Sequence, residues 1–325
     1  MKYAPVQRLL VLVGLAGLVG VLMFLPSRLE LADNDLRTAR ESFETRILRD
    51  SFEPLGPVPT PPEGVFDRVT YPGPAGDMEA LVTPDPGDGA RHPAVIWLSG
   101  GYGGIGDWFW TEQPPANDQS ARAFREAGLV MMVPSFRGEN ANPGHYEMFY
   151  GDLDDLEAAR AWLAGRDWVD PDRIYLAGHS TGGTRALLGN EYVDGFRAAF
   201  SIGGIADLKQ HVRAGGFAAR APFDDADDTE FLLRSPGYFL RSVKSPTFHF
   251  EGAQDWVRTF EDLNELAEQE SIPFQAFRIH GADHFSVIHP VTRMLAQKIL
   301  KDTGDQTDIA FTEDDIREIV DTVRP

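Results

Sequence analysis

Arg173–Gly183 reads RIYLAGHSTGG: an apolar run, then a glycine, two polar residues, a threonine and two glycines. Ile174, Tyr175 and Leu176 predict a buried strand, and Thr184–Leu188 opens a helical pattern. Between them lies Gly178-His179-Ser180-Thr181-Gly182, which fits G-x-S-x-G. A sharp strand–turn–helix would hold the serine oxygen out above a sheet, and glycines on either side would keep side chains off the neighbouring strand and helix. The bland alternative is a tight turn with an incidental serine.

Working outward, apolar segments alternate with helical ones. Strands are expected at Phe66–Tyr71, Met78–Pro84, Ala94–Leu98, Leu129–Val133, Arg173–Ala177, Ala198–Ile202, Thr247–Glu251 and Phe274–Ile279. Helical spacing falls at Ala121–Ala127, Leu153–Leu163, Glu261–Gln269 and Val291–Leu300. This pattern predicts an α/β fold: a mostly parallel sheet with helices on both faces and its chemistry at the carboxyl ends of the strands. Ile205–Ser245 breaks the alternation and is expected to be a small cap (205–245) over the site. Residues 64–302 form the domain. Residues 303–325 form an acidic tail, with Thr312 and Asp315 predicting a capped helix over Glu313–Val323.

The N-terminal region reads differently. Leu9–Leu25, LLVLVGLAGLVGVLMFL, has no charge over 17 residues. It predicts a single-pass anchor within residues 1–30, with a cleaved signal and a secreted or periplasmic product as the alternative. Residues 31–63 are expected to hold a short amphipathic helix within Asp33–Asp50 and then a Pro-rich linker, EPLGPVPTPPEG, at Glu53–Gly64.

The net charge of −20 repels phosphate backbones, so no nucleic-acid partner is expected. With no cysteine, disulfides, thiolate metal sites and a cysteine nucleophile are excluded. No HExxH is present, and Gly281 between His280 and His284 argues against a helical metal pair, so neither metal nor cofactor is expected.

A serine nucleophile needs a base, and histidine is suited to it near neutral pH. His284 follows the last strand and precedes the last helix, where a loop can lean back over the serine; His280 and His289 are rivals. The base needs an orienting carboxylate: Asp255, just past another strand, is the choice and Asp207 the alternative, while Asp283 reads as a loop-bracing residue. His179 is expected to make a structural hydrogen bond. An oxyanion would be held by the Thr181 N–H and by the glycine-rich loop Ser99–Gly104, through Gly101 or, as alternate, Tyr102. The order Ser180, Asp255, His284 is that of the α/β-hydrolase fold. Trp108-Phe109-Trp110 reads equally as pocket lining or as packing.

Together the motifs GGYGG (100–104), PSFRGE (134–139), DLDDLEAARAWL (152–163), VDPDRIYLAGHSTGG (169–183), Ser235-Pro236, EGAQDWV (251–257) and HGADHF (280–285) resemble the catalytic domain of the prolyl oligopeptidase family and its esterase relatives. The resemblance runs from about Val95 to Pro290 and implies a role for Arg137 in bracing a loop near the active site. The family's peptidases carry a large β-propeller before this domain. Here 63 residues precede Gly64, so exclusion of large substrates by a propeller is not expected. Relatives also often show His-Gly-Gly where Ser99-Gly100-Gly101 stands. The reading is a membrane-anchored serine hydrolase, first a carboxylesterase on small-molecule esters. A peptidase on short peptides is second, and a catalytically silent binding protein third.

Overall fold

In the computed structural model, which describes residues 30–216, 221–253 and 257–323, eight strands form one sheet. They are β1 (Asp67–Gly73), β2 (Gly76–Val82), β3 (His92–Leu98), β4 (Val130–Pro134), β5 (Val169–His179), β6 (Ala199–Ile202), β7 (Thr247–Gly252) and β8 (Phe274–Ile279). Their order is β1-β2-β4-β3-β5-β6-β7-β8. The pairs β1–β2 and β2–β4 are antiparallel, and the later pairs are parallel. Parallel pairing requires crossovers, and helices supply most of them. The α-helices are α1 (Leu36–Glu41), α2 (Ala123–Glu126), α3 (Asp152–Ala164), α4 (Thr181–Tyr192), α5 (Leu208–Arg213), α6 (Asp228–Leu232), α7 (Val257–Glu270), α8 (Ile288–Lys301) and α9 (Glu313–Val323). The chain divides into two units, Met1–Glu30 and Leu31–Pro325, and the sheet and helices named above belong to the second.

Period-two alternation sends β3 side chains to two cores. Val95 and Trp97 join Met131, Tyr175 and Phe200 on the face covered by α2, α8 and α9. Ala94, Ile96 and Leu98 join Met132, Leu176 and the α3 residues Leu156, Ala159 and Leu163 on the other. Pro171 lies in the early part of β5, where the register with β3 shifts between His92 and Ala94; an irregular stretch tolerates a residue without a donor.

A third cluster lies apart from the sheet cores. It joins Leu36 of α1, Tyr146, Phe149, Leu188 of α4, and Leu208, Phe223, Phe231 and Phe239 from the segment 205–245. That segment holds α5, α6 and a 3-10 stretch at Pro236–Ser242.

The segment 31–63 holds one short helix followed by backbone without further helix. The helix spans Leu36–Glu41, capped by Asp35. The rest has no further helix, but its backbone docks along the domain. Ala32 N donates to Tyr238 O, Leu48 N to Pro222 O, and Leu55 N to Gly103 O, at 2.7, 2.7 and 3.1 Å. Val58 N donates to Glu79 Oε2 at 3.1 Å. Backbone outside helix and sheet makes no internal ladder, so the N–H groups of its non-proline residues are open to acceptors on the domain.

The acidic tail is likewise docked. Thr312 and Asp315 form the reciprocal cap, with Thr312 N donating to Asp315 Oδ2 at 2.7 Å and Asp315 N to Thr312 Oγ1 at 3.2 Å. Ile319 is buried, and Phe311, Ile316 and Val320 pack against the sheet core. Phe109 is buried in the same core, with the half-buried Trp108 and Trp110 packed against it. Leu9–Leu25 lies outside the described residues; among those described, no helix is long and apolar enough to cross a membrane.

Candidate active site

Strand β5 ends at His179 and α4 begins at Thr181, leaving one residue, Ser180, to reverse the chain. Its backbone sits at φ 56°, ψ −118°, a region that a side chain makes costly. The flanking glycines are dictated by closeness. A methyl group at Gly178 would overlap the carbonyl of Gly182, and one at Gly182 would overlap the carbonyl of Leu98. The start of α4 is therefore pressed against the end of β3.

Ser180 N donates to Ile202 O at the end of β6, at 2.8 Å. The next residue, Gly203, has φ 61°, and the His284 ring lies directly over it: a methyl there would be 2.9 Å from both Cε1 and Nδ1. The Ser180 backbone and the His284 ring thus lie against consecutive residues, 202 and 203. On the opposite side, Gly100 approaches Ser180 so closely that a methyl on it would be 3.1 Å from the serine Cβ. Thr181 Oγ1 donates to Gly101 O at 2.8 Å and ties the glycine loop to the helix start. The fold therefore gathers Ser180, Thr181, Gly101 and His284 in one place. Asp255 lies outside the described residues.

The remaining candidates have other duties. Asp207 caps α5, accepting Gln210 N at 2.9 Å, and takes the Tyr238 hydroxyl at 3.0 Å. Asp283 accepts Phe285 N, Ser286 N and Ser286 Oγ at 3.0, 2.8 and 2.9 Å and so shapes the loop that carries His284. His280 is exposed. His289 Nδ1 is 3.3 Å from Asp118 Oδ2.

His179 does more than pack. Its Nε2–H donates to the backbone carbonyl of His284 at 2.8 Å, and the two rings lie 4.7 Å apart. Burial, then repulsion from His284, pulls its pKa down to about 3, so the ring is neutral at working pH. A neutral imidazole has one N–H, here on Nε2, so Nδ1 carries no proton; the Gln119 Oε1 oxygen lies 3.2 Å from it.

Buried ion pairs brace the floor. Arg137 binds Asp155 of α3 through Nε and Nη2, at 2.9 and 2.8 Å, and Glu147 through Nη1 at 3.0 Å. Arg185 of α4 joins Glu139 and Asp152 at 2.6 and 2.7 Å, fixing the nucleophile helix to the 134–139 loop and α3. On the glycine-loop side, Tyr102 packs with Phe52 and Tyr146, at ring-centroid separations of 5.7 and 6.0 Å. Phe52 comes from the N-terminal segment, a contribution the sequence pattern did not signal.

Sheet order and the strand–turn–helix elbow at Ser180 define an α/β-hydrolase fold. Residues 80–236 match the family described as X-Pro dipeptidyl-peptidase (S15 family). The chain is 24% identical over 184 residues to the "Uncharacterized peptidase YtmA" of Bacillus subtilis (strain 168), covering 53% of this chain and 66% of that protein. Among solved structures it resembles a Mycobacterium tuberculosis puromycin-hydrolyzing peptidase, with TM-score 0.61 and 22% identity, over 73% of this chain and 39% of that one. It also resembles esterase Est22, with TM-score 0.56 and 18% identity, over 75% of this chain and 81% of that one. The chain thus spans under two thirds of the peptidases it matches.

Proposed function

We propose that this protein cleaves an acyl bond in a short peptide or small ester through an acyl-enzyme on Ser180. The observation that carries the reading is the strained backbone of Ser180, held at φ 56° by a turn whose flanking glycines leave no room for side chains. Strain of this kind persists where the surrounding fold over-determines it, and it aims the hydroxyl away from the sheet.

In this mechanism Ser180 Oγ attacks the carbonyl carbon while His284 takes its proton. The carbonyl oxygen becomes an oxyanion. His284 then gives its proton to the leaving amine or alcohol, and the acyl–serine bond remains. Water, deprotonated by His284, attacks that ester, and His284 returns the proton to the departing Ser180 Oγ, releasing the acid and free Ser180. Asp255 is assigned the orienting carboxylate from its sequence position. Thr181 is the first residue of α4, so its N–H has no acceptor inside the helix and is available to the oxyanion. Gly101 is the preferred second donor. Its carbonyl faces the Thr181 hydroxyl, and across a trans peptide this turns the Tyr102 N–H away from that hydroxyl.

For the substrate we place short peptides first, ahead of the esters that the sequence alone favours. The family match and the relatives named as peptidases support amide cleavage. The esterase reading is kept because the chain spans 81% of Est22. The test is a panel of aminoacyl and X-Pro anilides beside p-nitrophenyl acyl esters, run with the protein and with Ser180→Ala. Amide turnover at rates near those of esters, lost in Ser180→Ala, is the expected result. Ester turnover alone makes it a carboxylesterase. No turnover of either by the folded protein returns the silent binding protein.

A further inference from the structure

The oxyanion loop contains three glycines with positive φ, Gly101 at 87°, Gly103 at 93° and Gly104 at 110°. Such a run has wide conformational freedom, and oxyanion donors are useful only when held in place beforehand. One end is held by Thr181. From the arrangement at the other end we infer that Asn140 is the positioning residue that fixes this loop. The inference rests on the serine hydrolase reading of the site.

Asn140 sits at φ 49°, a left-handed conformation that asparagine tolerates better than most residues, and it is buried. Its amide oxygen accepts Ile105 N–H at 2.7 Å and the Ser135 hydroxyl at 2.8 Å. Its amide nitrogen donates to Ile105 O at 3.0 Å and to Gly56 O at 2.9 Å. Its backbone N–H donates to Gly103 O at 2.9 Å. Both acceptor sites and both donors of the side chain are used, the full complement for a carboxamide. The amide grips Ile105 by both backbone groups, as a neighbouring strand would. A methyl at Gly104 would overlap the amide oxygen, so loop and side chain are fitted to each other. No aliphatic residue can replace this grip, and aspartate at 140 loses both donors. The bond to Gly56, with Leu55 N on Gly103 O, makes the N-terminal segment part of the same clamp.

The test compares wild type, Asn140→Gly and Asn140→Asp. Glycine keeps the left-handed backbone comfortable and removes the amide alone. Two quantities are read: hydrogen exchange of the amides of residues 100–105, and kcat per active site titrated with a fluorophosphonate. We expect faster exchange confined to this loop and to residues 55–56. We also expect kcat per titrated site to fall about 10- to 100-fold with KM changed less than about threefold. A purely structural role would lower the titrated fraction and the melting temperature but leave kcat per site intact; that result overturns the proposal. So does unchanged exchange in the loop. If wild type itself is neither labelled nor active, the hydrolase reading fails and takes the oxyanion role with it, while exchange still reports whether Asn140 holds the loop.

Discussion

A methyl group added at Gly182 would meet the carbonyl oxygen of Leu98, so Gly182→Ala must push α4 away from β3. We expect a loss of about 3 kcal/mol in urea unfolding together with loss of activity, because the elbow cannot form without that approach. His179 gives a second test. His179→Leu removes the donor to the His284 carbonyl and should lower kcat at nearly constant KM, whereas His179→Gln, which can still donate, should recover part of it. The same residue sets an acid limit. Its folded pKa of about 3 lies below the unfolded value of about 6.5, so the unfolded chain binds the extra proton. Its contribution is complete above about pH 6.5 and erodes as the pH falls towards 3; melting curves of wild type between pH 7 and 5 should decline more steeply than those of His179→Gln. At this scale a motif and its context pointed to Ser180, Thr181 and His284 as neighbours, and the fold brings them together. Asn140 was not legible in the sequence, because a single asparagine in a loop carries no period, and its role arises from partners 35 and 84 positions away.

The N-terminal segment shows where elements escape such reading. Its prolines mark extended backbone, but docking through backbone groups leaves no side-chain signature. Arg40 of α1 is the principal side chain holding it. Its guanidinium donates to the carbonyls of Phe149, Tyr150 and Leu233, at distances from 2.6 to 3.2 Å, and lies over the Tyr150 ring. Burial pulls its pKa down to about 10, which still leaves it charged at neutral pH. Arg40→Ala would orphan those buried carbonyls, and we expect it to cost about 2–4 kcal/mol in urea unfolding. Limited proteolysis of the same variant should cut within residues 31–58 faster than in wild type.

For the molecule as a whole, a mostly parallel sheet covered on both faces followed from apolar runs separated by helical patterns, whereas the strand order, β1-β2-β4-β3-β5-β6-β7-β8, is set by tertiary pairing that no single run carries. The tail was harder to place, because its acidic residues dominate the composition while its apolar ones face the core. Asp302 ties that region down. It accepts Tyr175 OH at 2.7 Å and two Arg197 nitrogens at 2.8 Å. Burial alone would raise its carboxyl, but bonds from Arg197, Tyr175 and Thr307 pull it down to about 2. The depressed carboxylate stabilises the fold above about pH 4, and that stability is lost as the pH falls through about 2. Asp302→Asn should cost about 3 kcal/mol at pH 7 and show a flatter profile between pH 4 and 2. We also propose that Leu9–Leu25 attaches the protein to a membrane, on the strength of its 17 uncharged residues; release from membranes by alkaline carbonate would contradict this. The proposed chemistry stands on one reactive hydroxyl. Treating the folded protein with a fluorophosphonate and mapping the adduct by peptide mass spectrometry tests it directly. We predict a single adduct on Ser180 whose formation slows strongly in His284→Ala. An unlabelled Ser180, or labelling indifferent to His284, would contradict it.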